Sequence, residues 1–188
     1  DIADHPSEEN KRAIILWTLP QTAVPAFARM LEGENVNGSD IDAAVDRFAD
    51  AVLAARFSAS AIFIVSWCTP PEQRGYGMLD LHPGTGIALA LMRMNIRLSE
   101  RLSDASNVFL LDCQRWIAAL DHKAHNTKQW YLAKTFFTTE LLKEAALDIK
   151  AAFLGLYGRA RKLIITDLDN TLWGGEVGEI GWEAISLG

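Results

Sequence analysis

Two aspartates, Asp167 and Asp169, stand two residues apart directly after the apolar run Leu163-Ile164-Ile165-Thr166. Side chains two apart in an extended backbone share a face. Where a strand ends the chain turns, so both carboxylates can approach one phosphoryl group or one cation. Crowded carboxylates repel one another, and a hard divalent cation such as Mg²⁺, which takes oxygen ligands, relieves that repulsion. The pattern therefore points to phosphoryl chemistry or to divalent-metal binding. An Asp-Leu-Asp triplet also occurs as a plain structural turn, and spacing alone leaves both readings open.

The elements that must position the pair follow from the apolar pattern. Short, nearly continuous apolar runs at Ala13 to Trp17, Ala61 to Val65, Val108 to Leu111 and Leu163 to Thr166 read as four parallel strands buried on both faces. Longer amphipathic stretches lie between them, which is the order of βαβ units. The expected class is α/β, a mostly parallel sheet flanked by helices. In the first long helix Ser39 is the expected cap, Asp40 and Asp42 suit the positive end of the macrodipole, and Ile41, Val45, Phe48, Val52 and Phe57 form the core stripe. A second helix, Ile87 to Leu102, follows Pro83-Gly84-Thr85-Gly86 and carries Leu91, Met94, Leu98 and Leu102 inward. A third, Thr139 to Tyr157, has Leu142, Ala146, Ile149 and Phe153 on one face and stops near Gly155 and Gly158.

After that stop, a basic turn, Arg159-Ala160-Arg161-Lys162, leads into the last strand, so the expected domain boundary is near residue 158. Residues 159–188 are too few to bury a core by themselves, since domains below ~40 residues usually need staples. They read as the start of something longer. At the other end the polar, acidic stretch Asp1 to Asn10, with no initiating Met, reads as an internal cut.

Composition narrows the function classes. The chain has 188 residues, 49% hydrophobic and 22% charged, the profile of a folded globular protein. Its net charge of -6 provides no global basic field for nucleic acid. No apolar run approaches the ~20 residues needed to cross a bilayer. Cys68 and Cys113 are far apart with no CxxC spacing, so neither a disulfide framework nor a zinc site is indicated, and two thiols suit a reducing, cytoplasmic setting.

Asp-Leu-Asp-Asn-Thr-Leu directly after a Leu-Ile-Ile-Thr strand resembles the first motif of the haloacid-dehalogenase (HAD) superfamily of aspartate-nucleophile phosphotransferases. With Trp173-Gly174-Gly175, Val177-Gly178-Glu179 and Gly181-Trp182-Glu183-Ala184-Ile185 following, it looks like the FkbH-like subgroup, in which an SGNH-hydrolase-like N-terminal domain precedes a HAD domain. Leu111-Asp112 and Trp130-Tyr131-Leu132-Ala133-Lys134 agree with that subgroup upstream. The resemblance implies an SGNH/flavodoxin-like three-layer domain over 1–158, lacking its first strand, and the start of a HAD-like domain over 159–188. It implies Asp167 as nucleophile and Mg²⁺ ligand, and Asp169 as general acid/base and second ligand. Thr171 and Leu168 are the implied substrate-binding positions. The implied reaction takes a phosphorylated three-carbon acid, 1,3-bisphosphoglycerate, releases phosphate and loads the glyceryl unit onto an acyl carrier protein, in a biosynthetic setting. A magnesium-dependent phosphatase of other specificity and a non-catalytic carrier-protein-binding module are the alternatives.

The pattern is incomplete on both sides. HAD chemistry also needs a Ser or Thr, a Lys and a further acidic pair downstream, and SGNH chemistry needs a Gly-Asp-Ser nucleophile; neither set occurs in these residues. Asp80-Leu81-His82-Pro83 resembles the Asp and His block of SGNH triads but stands before a helix and a strand, where a loop role is the simpler reading. Asp121, His122 and His125 form either a metal-binding pair or a solvated loop, and Cys113 either a reactive thiol or a small buried hydrophobe. The Ser66 to Gly86 loop leaves a strand's carboxyl end, where binding residues collect. Trp173, Gly174 and Gly175 are the expected turn into a flap, with a glycine at positive φ.

Overall fold

The computed structural model describes residues 12–69, 73, 75–133, 135, 137–159, 163, 166–168, 170, 171, 173–184, 186 and 187. It divides into two compact units, Asp1–Ile149 and Lys150–Gly188.

The first unit is α/β. Its strands are β1 (Ala13–Leu16), β2 (Ala61–Val65) and β3 (Val108–Leu111). Among the described residues they form one parallel sheet in the order β1-β2-β3, with Ile14 opposite Ile62 and Ile62 opposite Val108. The central strand, Ala-Ile-Phe-Ile-Val, is buried at every position, the environment its unbroken β-branched and aromatic run demands. Between β1 and β2 lie the short helices α1 (Pro20–Ala23) and α2 (Pro25–Leu31) and the long α3 (Gly38–Ala55). Helix α4 (Ile87–Leu102) joins β2 to β3. After β3 come α5 (Cys113–Leu120), α6 (Thr127–Ala133) and α7 (Thr139–Leu156).

With strands in sequential order, right-handed crossovers place α3 and α4 on the same face of the sheet. There Val45, Val52, Leu91, Met94 and Leu98 pack on Ile62 and Ile64 in one core cluster. Leu91, Met94, Leu98 and Leu102 are all buried, as their stripe predicts. A second cluster joins Val65 to Trp116, Trp130, Phe137, Leu141 and Ala145, with Trp17 packed against it.

Outside the core, α3 and α4 are joined by an ion-pair ladder. Arg97 donates from Nε and Nη2 to the two oxygens of Asp46 at 2.8 and 2.6 Å and lies 3.7 Å from Asp42, while Arg101 pairs with Asp50. Steps of four on each helix, 42, 46 and 50 against 97 and 101, keep these groups on facing ridges. The hydrogen bond from Arg97 holds the Asp46 carboxyl below its usual range. A carboxyl lowered in the folded state contributes stability above its unfolded pKa, about 3.9, and loses it as pH falls through the lower folded value.

Four expectations are corrected. Helix α3 starts at Gly38 after Asn37, with no side-chain cap, so Ser39 lies inside the first turn instead of capping it. Phe57 is 83% exposed, because the helix ends at Ala55 and a 3₁₀ turn at Arg56–Ser58 rotates the ring out, where the Arg56 guanidinium lies 4.7 Å from its centroid. Helix α7 buries Leu141 and Ala145 instead of Leu142 and Ala146. It carries apolar residues on adjacent stripes; Leu141 and Ala145 enter the cluster around Trp116, whose Nε1 donates to Asp148 at 3.0 Å. Leu163, expected to begin a buried strand, is exposed, while Ile164 and Ile165 lie outside the described residues.

In the second unit α7 ends as its glycines predict: Arg159 N donates to Leu154 O at 2.8 Å, and Gly158 has φ +67°. Beyond it, β4 (Trp173–Gly174) pairs antiparallel with β5 (Ser186–Leu187), a hairpin that apolar periodicity missed because each strand has two residues. Between them lie α8 (Val177–Ile180) and a 3₁₀ turn at Trp182–Ala184. None of the residues of this unit whose exposure is described is fully buried.

Two outcomes follow from this packing. Leu98→Ala should cost about 2–5 kcal/mol in urea unfolding, since Leu98 has no exposed surface. Asp46→Asn should lower the thermal midpoint by circular dichroism at pH 7, and the gap from wild type should close below about pH 4.

Candidate functional site

Asp167 is held by bonds within its own segment. Its Oδ1 accepts from the backbone N of Leu168 at 2.8 Å, and its carbonyl accepts from Thr166 Oγ1 at 2.9 Å. The carboxylate is exposed, so it is oriented yet reachable. After it the chain folds tightly: Leu168 O accepts from Thr171 N at 3.3 Å and from Trp173 N at 3.4 Å. Asn170 adopts φ +55°, a region that Asn tolerates better than most residues, and its Oδ1 accepts from Gly175 N at 2.9 Å. Gly175 has φ +104°, as the expected turn requires. Thr171 and Leu168 flank this turn, Thr171 exposed and Leu168 half-exposed. Asp169 lies outside the described residues. The Asn170 clamp was missed by the motif reading, though an Asn five residues before a Gly in a turn-rich segment carries the signal.

In donor type the segment suits a hard cation. An exposed carboxylate that uses one oxygen on a backbone N–H can still offer oxygen ligands, and Mg²⁺ is commonly held by one or two carboxylates with water completing its shell. Among the described residues no group of three or more His, Cys, Asp or Glu converges to hold a metal unaided.

The first unit presents a different picture at the carboxyl end of its sheet, the usual ligand edge of open α/β folds. There Trp67 is buried, its backbone N and O bonded to the Asn95 amide at 2.9 and 2.8 Å and its ring N to Thr18 Oγ1 at 3.0 Å. Ser66 Oγ accepts from Cys113 N at 3.0 Å, and Asp112 caps α5 by accepting from Gln114 N at 2.9 Å. The polar groups of this edge thus serve the fold. A groove of about 370 Å³ beside it is walled mainly by Met92, Ile96, Leu110 and Leu111.

The other candidates resolve in the same direction. Asp80 organises the loop before α4: its Oδ1 accepts from Tyr76 N at 2.8 Å and its carbonyl accepts from Leu89 N at 3.0 Å. A Cβ on Gly86 would meet the Asp80 backbone carbonyl at 2.2 Å, so glycine is demanded there by close approach, and Gly75, beside the Asp80 carboxylate, has φ +74°, where glycine is favoured. His82 faces Thr85 Oγ1 at 3.4 Å. Asp121 and His122 pair with each other at 3.2 Å, both exposed, and the His122 bond lowers the Asp121 carboxyl. His125 stacks on Phe137 at 5.5 Å. Cys113 is wholly buried. The solvated-loop and buried-hydrophobe readings therefore stand for these residues.

No protein-family model and no curated protein matches the chain. Among solved structures it is similar to the N-terminal part of the protein BF1531 from Bacteroides fragilis, which contains a phosphatase domain and was crystallised with Mg. The TM-score is 0.65 at 18% identity, over 94% of this chain and 46% of that one. The α/β fold is shared with that structure, and this chain spans about half the length of the crystallised chain.

The loop geometry generates one test. Asp80→Ala should speed proteolytic nicking within residues 75–86, read by mass spectrometry of the fragments, with little change in the global melting midpoint because the lost bond lies at the surface.

Proposed function

We propose that this chain is part of a Mg²⁺-dependent phosphatase of the HAD type, with Asp167 and Asp169 as its catalytic pair. The observation that carries the reading is the exposed, locally oriented Asp167 carboxylate at the head of Asp-Leu-Asp-Asn-Thr-Leu. The shared fold with a phosphatase-containing protein crystallised with Mg supports it.

In this proposal an Asp167 carboxylate oxygen attacks phosphorus, and the bond from phosphorus to the leaving oxygen breaks. Asp169 gives that oxygen a proton. Asp169 then takes a proton from water, which attacks the aspartyl phosphate and releases inorganic phosphate, regenerating Asp167. Splitting one hard displacement into two easier ones is the gain of covalent catalysis. Asp167 and Asp169 would hold Mg²⁺, whose chemistry when bound is to neutralise charge on the phosphoryl oxygens. Thr171 and Leu168 line the substrate side of the turn. Residues 159–188 are the start of the catalytic domain and 1–158 an SGNH-like domain ahead of it. The substrate is a phosphorylated three-carbon acid, 1,3-bisphosphoglycerate, whose glyceryl unit passes to an acyl carrier protein, as in FkbH-like proteins. A magnesium-dependent phosphatase of other specificity uses the same pair.

A second reading concerns the first unit alone. Because the polar groups at the carboxyl edge of its sheet are engaged in holding the fold, that unit serves as a carrier-protein docking module without chemistry of its own. Absence of heat on titrating it with an acyl carrier protein would remove this reading.

Asp167→Asn in a protein carrying the whole phosphatase domain should reduce phosphate release to background, and undiminished turnover would sink the assignment. Chelation by EDTA should abolish the wild-type activity and added Mg²⁺ restore it. Weighing the carrier after incubation with 1,3-bisphosphoglycerate separates glyceryl transfer from simple hydrolysis.

A further inference from the structure

Cys68 and Cys113 take no part in the chemistry proposed for Asp167, yet the fold brings them together. Cys68 follows shortly after β2 and Cys113 opens α5, and they are 3% and 0% exposed within one core cluster. Two bonds draw their segments together: Ser66 N donates to Leu111 O at 2.8 Å, and Cys113 N donates to Ser66 Oγ at 3.0 Å. Both are free thiols. The interaction with the Cys113 side chain, followed by burial, pushes the Cys68 thiol well above the ordinary thiol range.

With both thiols buried away from solvent and reagents, the pair is inert while the core is closed. When the first turn of α5 opens locally, Cys113 meets solvent with its partner thiol nearby. We propose that Cys68 and Cys113 form a latent disulfide pair, oxidised on local opening by a low-molecular-weight disulfide. The thiol exposed first loses its proton to solvent and attacks one reagent sulfur, breaking the reagent S–S bond and expelling one thiolate. The second thiol likewise loses its proton and attacks the protein sulfur of the mixed disulfide, expelling the other thiolate. Two protein thiols are oxidised, the reagent takes two electrons, and two protons pass to solvent. The new bond ties the root of the loop after β2 to α5. It restrains the unfolded chain and thereby stabilises the sealed edge of the sheet.

The test uses the 188-residue chain with excess dithiobis(nitrobenzoic acid), in native buffer and in urea below the unfolding transition. Two equivalents of thionitrobenzoate should be released per chain. The product should be lighter by two hydrogens, carry no adduct and melt at higher temperature, with reversal by dithiothreitol. Stable adducts on both cysteines, or no release before global unfolding, would overturn the proposal. Cys113→Ala should release one equivalent and retain one adduct on Cys68; an unmodified Cys68 under the conditions in which the wild type reacts would also count against the proposal.

Discussion

The first unit depends on how the backbone leaving its central strand is satisfied. Beyond Ser66, whose N donates to Leu111 O, the ladder ends, and a buried peptide group without a partner is costly. Asn95, reaching from α4, closes that gap by accepting from Trp67 N and donating to Trp67 O. With both bonds made, the Trp67 ring can be buried and can reach Thr18 beyond β1. One amide thus ties all three layers of chain, after β1, after β2 and on α4, at the edge where an open α/β sheet usually receives a ligand. A residue that could have faced substrate is committed to the fold.

That commitment bears on where the proposed chemistry would reside. Ser66 and Asp112 sit at the same edge, and each has its oxygen engaged by a backbone N–H of α5. In the second unit the situation is reversed. Asp167, Asn170 and Gly175 are organised by contacts within a few residues of one another and remain at the surface. Local bonds suffice to orient a carboxylate, whereas stabilising a transferring phosphoryl group requires charges converging from several elements.

Legibility in the sequence followed the same division. The bounds of α4 and its inward stripe were readable because Leu91, Met94, Leu98 and Leu102 keep one helical face from its second turn to its end. The three sheet strands were readable from unbroken apolar runs. Helix α7 was ambiguous because Leu141 and Leu142, and Ala145 and Ala146, are adjacent, so two faces are equally apolar. Phe57 was misplaced because the helix stops at Ala55, and no glycine or proline marks that stop.

By itself the sequence determined the α/β class, the strand–helix order, and the Asp167 turn with its glycine at positive φ. These depend on side-chain periodicity and on turn chemistry spanning a few residues. Only the tertiary structure decided that Asn95 and Trp67 seal the sheet edge, that Asp80 knots the loop before α4, that Trp116 bonds Asp148 of α7, and that Cys68 and Cys113 share one buried cluster. Each pairing except the Asp80 knot joins residues more than twenty positions apart, and no local preference of either partner specifies the other. Even the Asp80 knot depends on Gly86, whose missing side chain matters only once the backbone has closed on the Asp80 carbonyl.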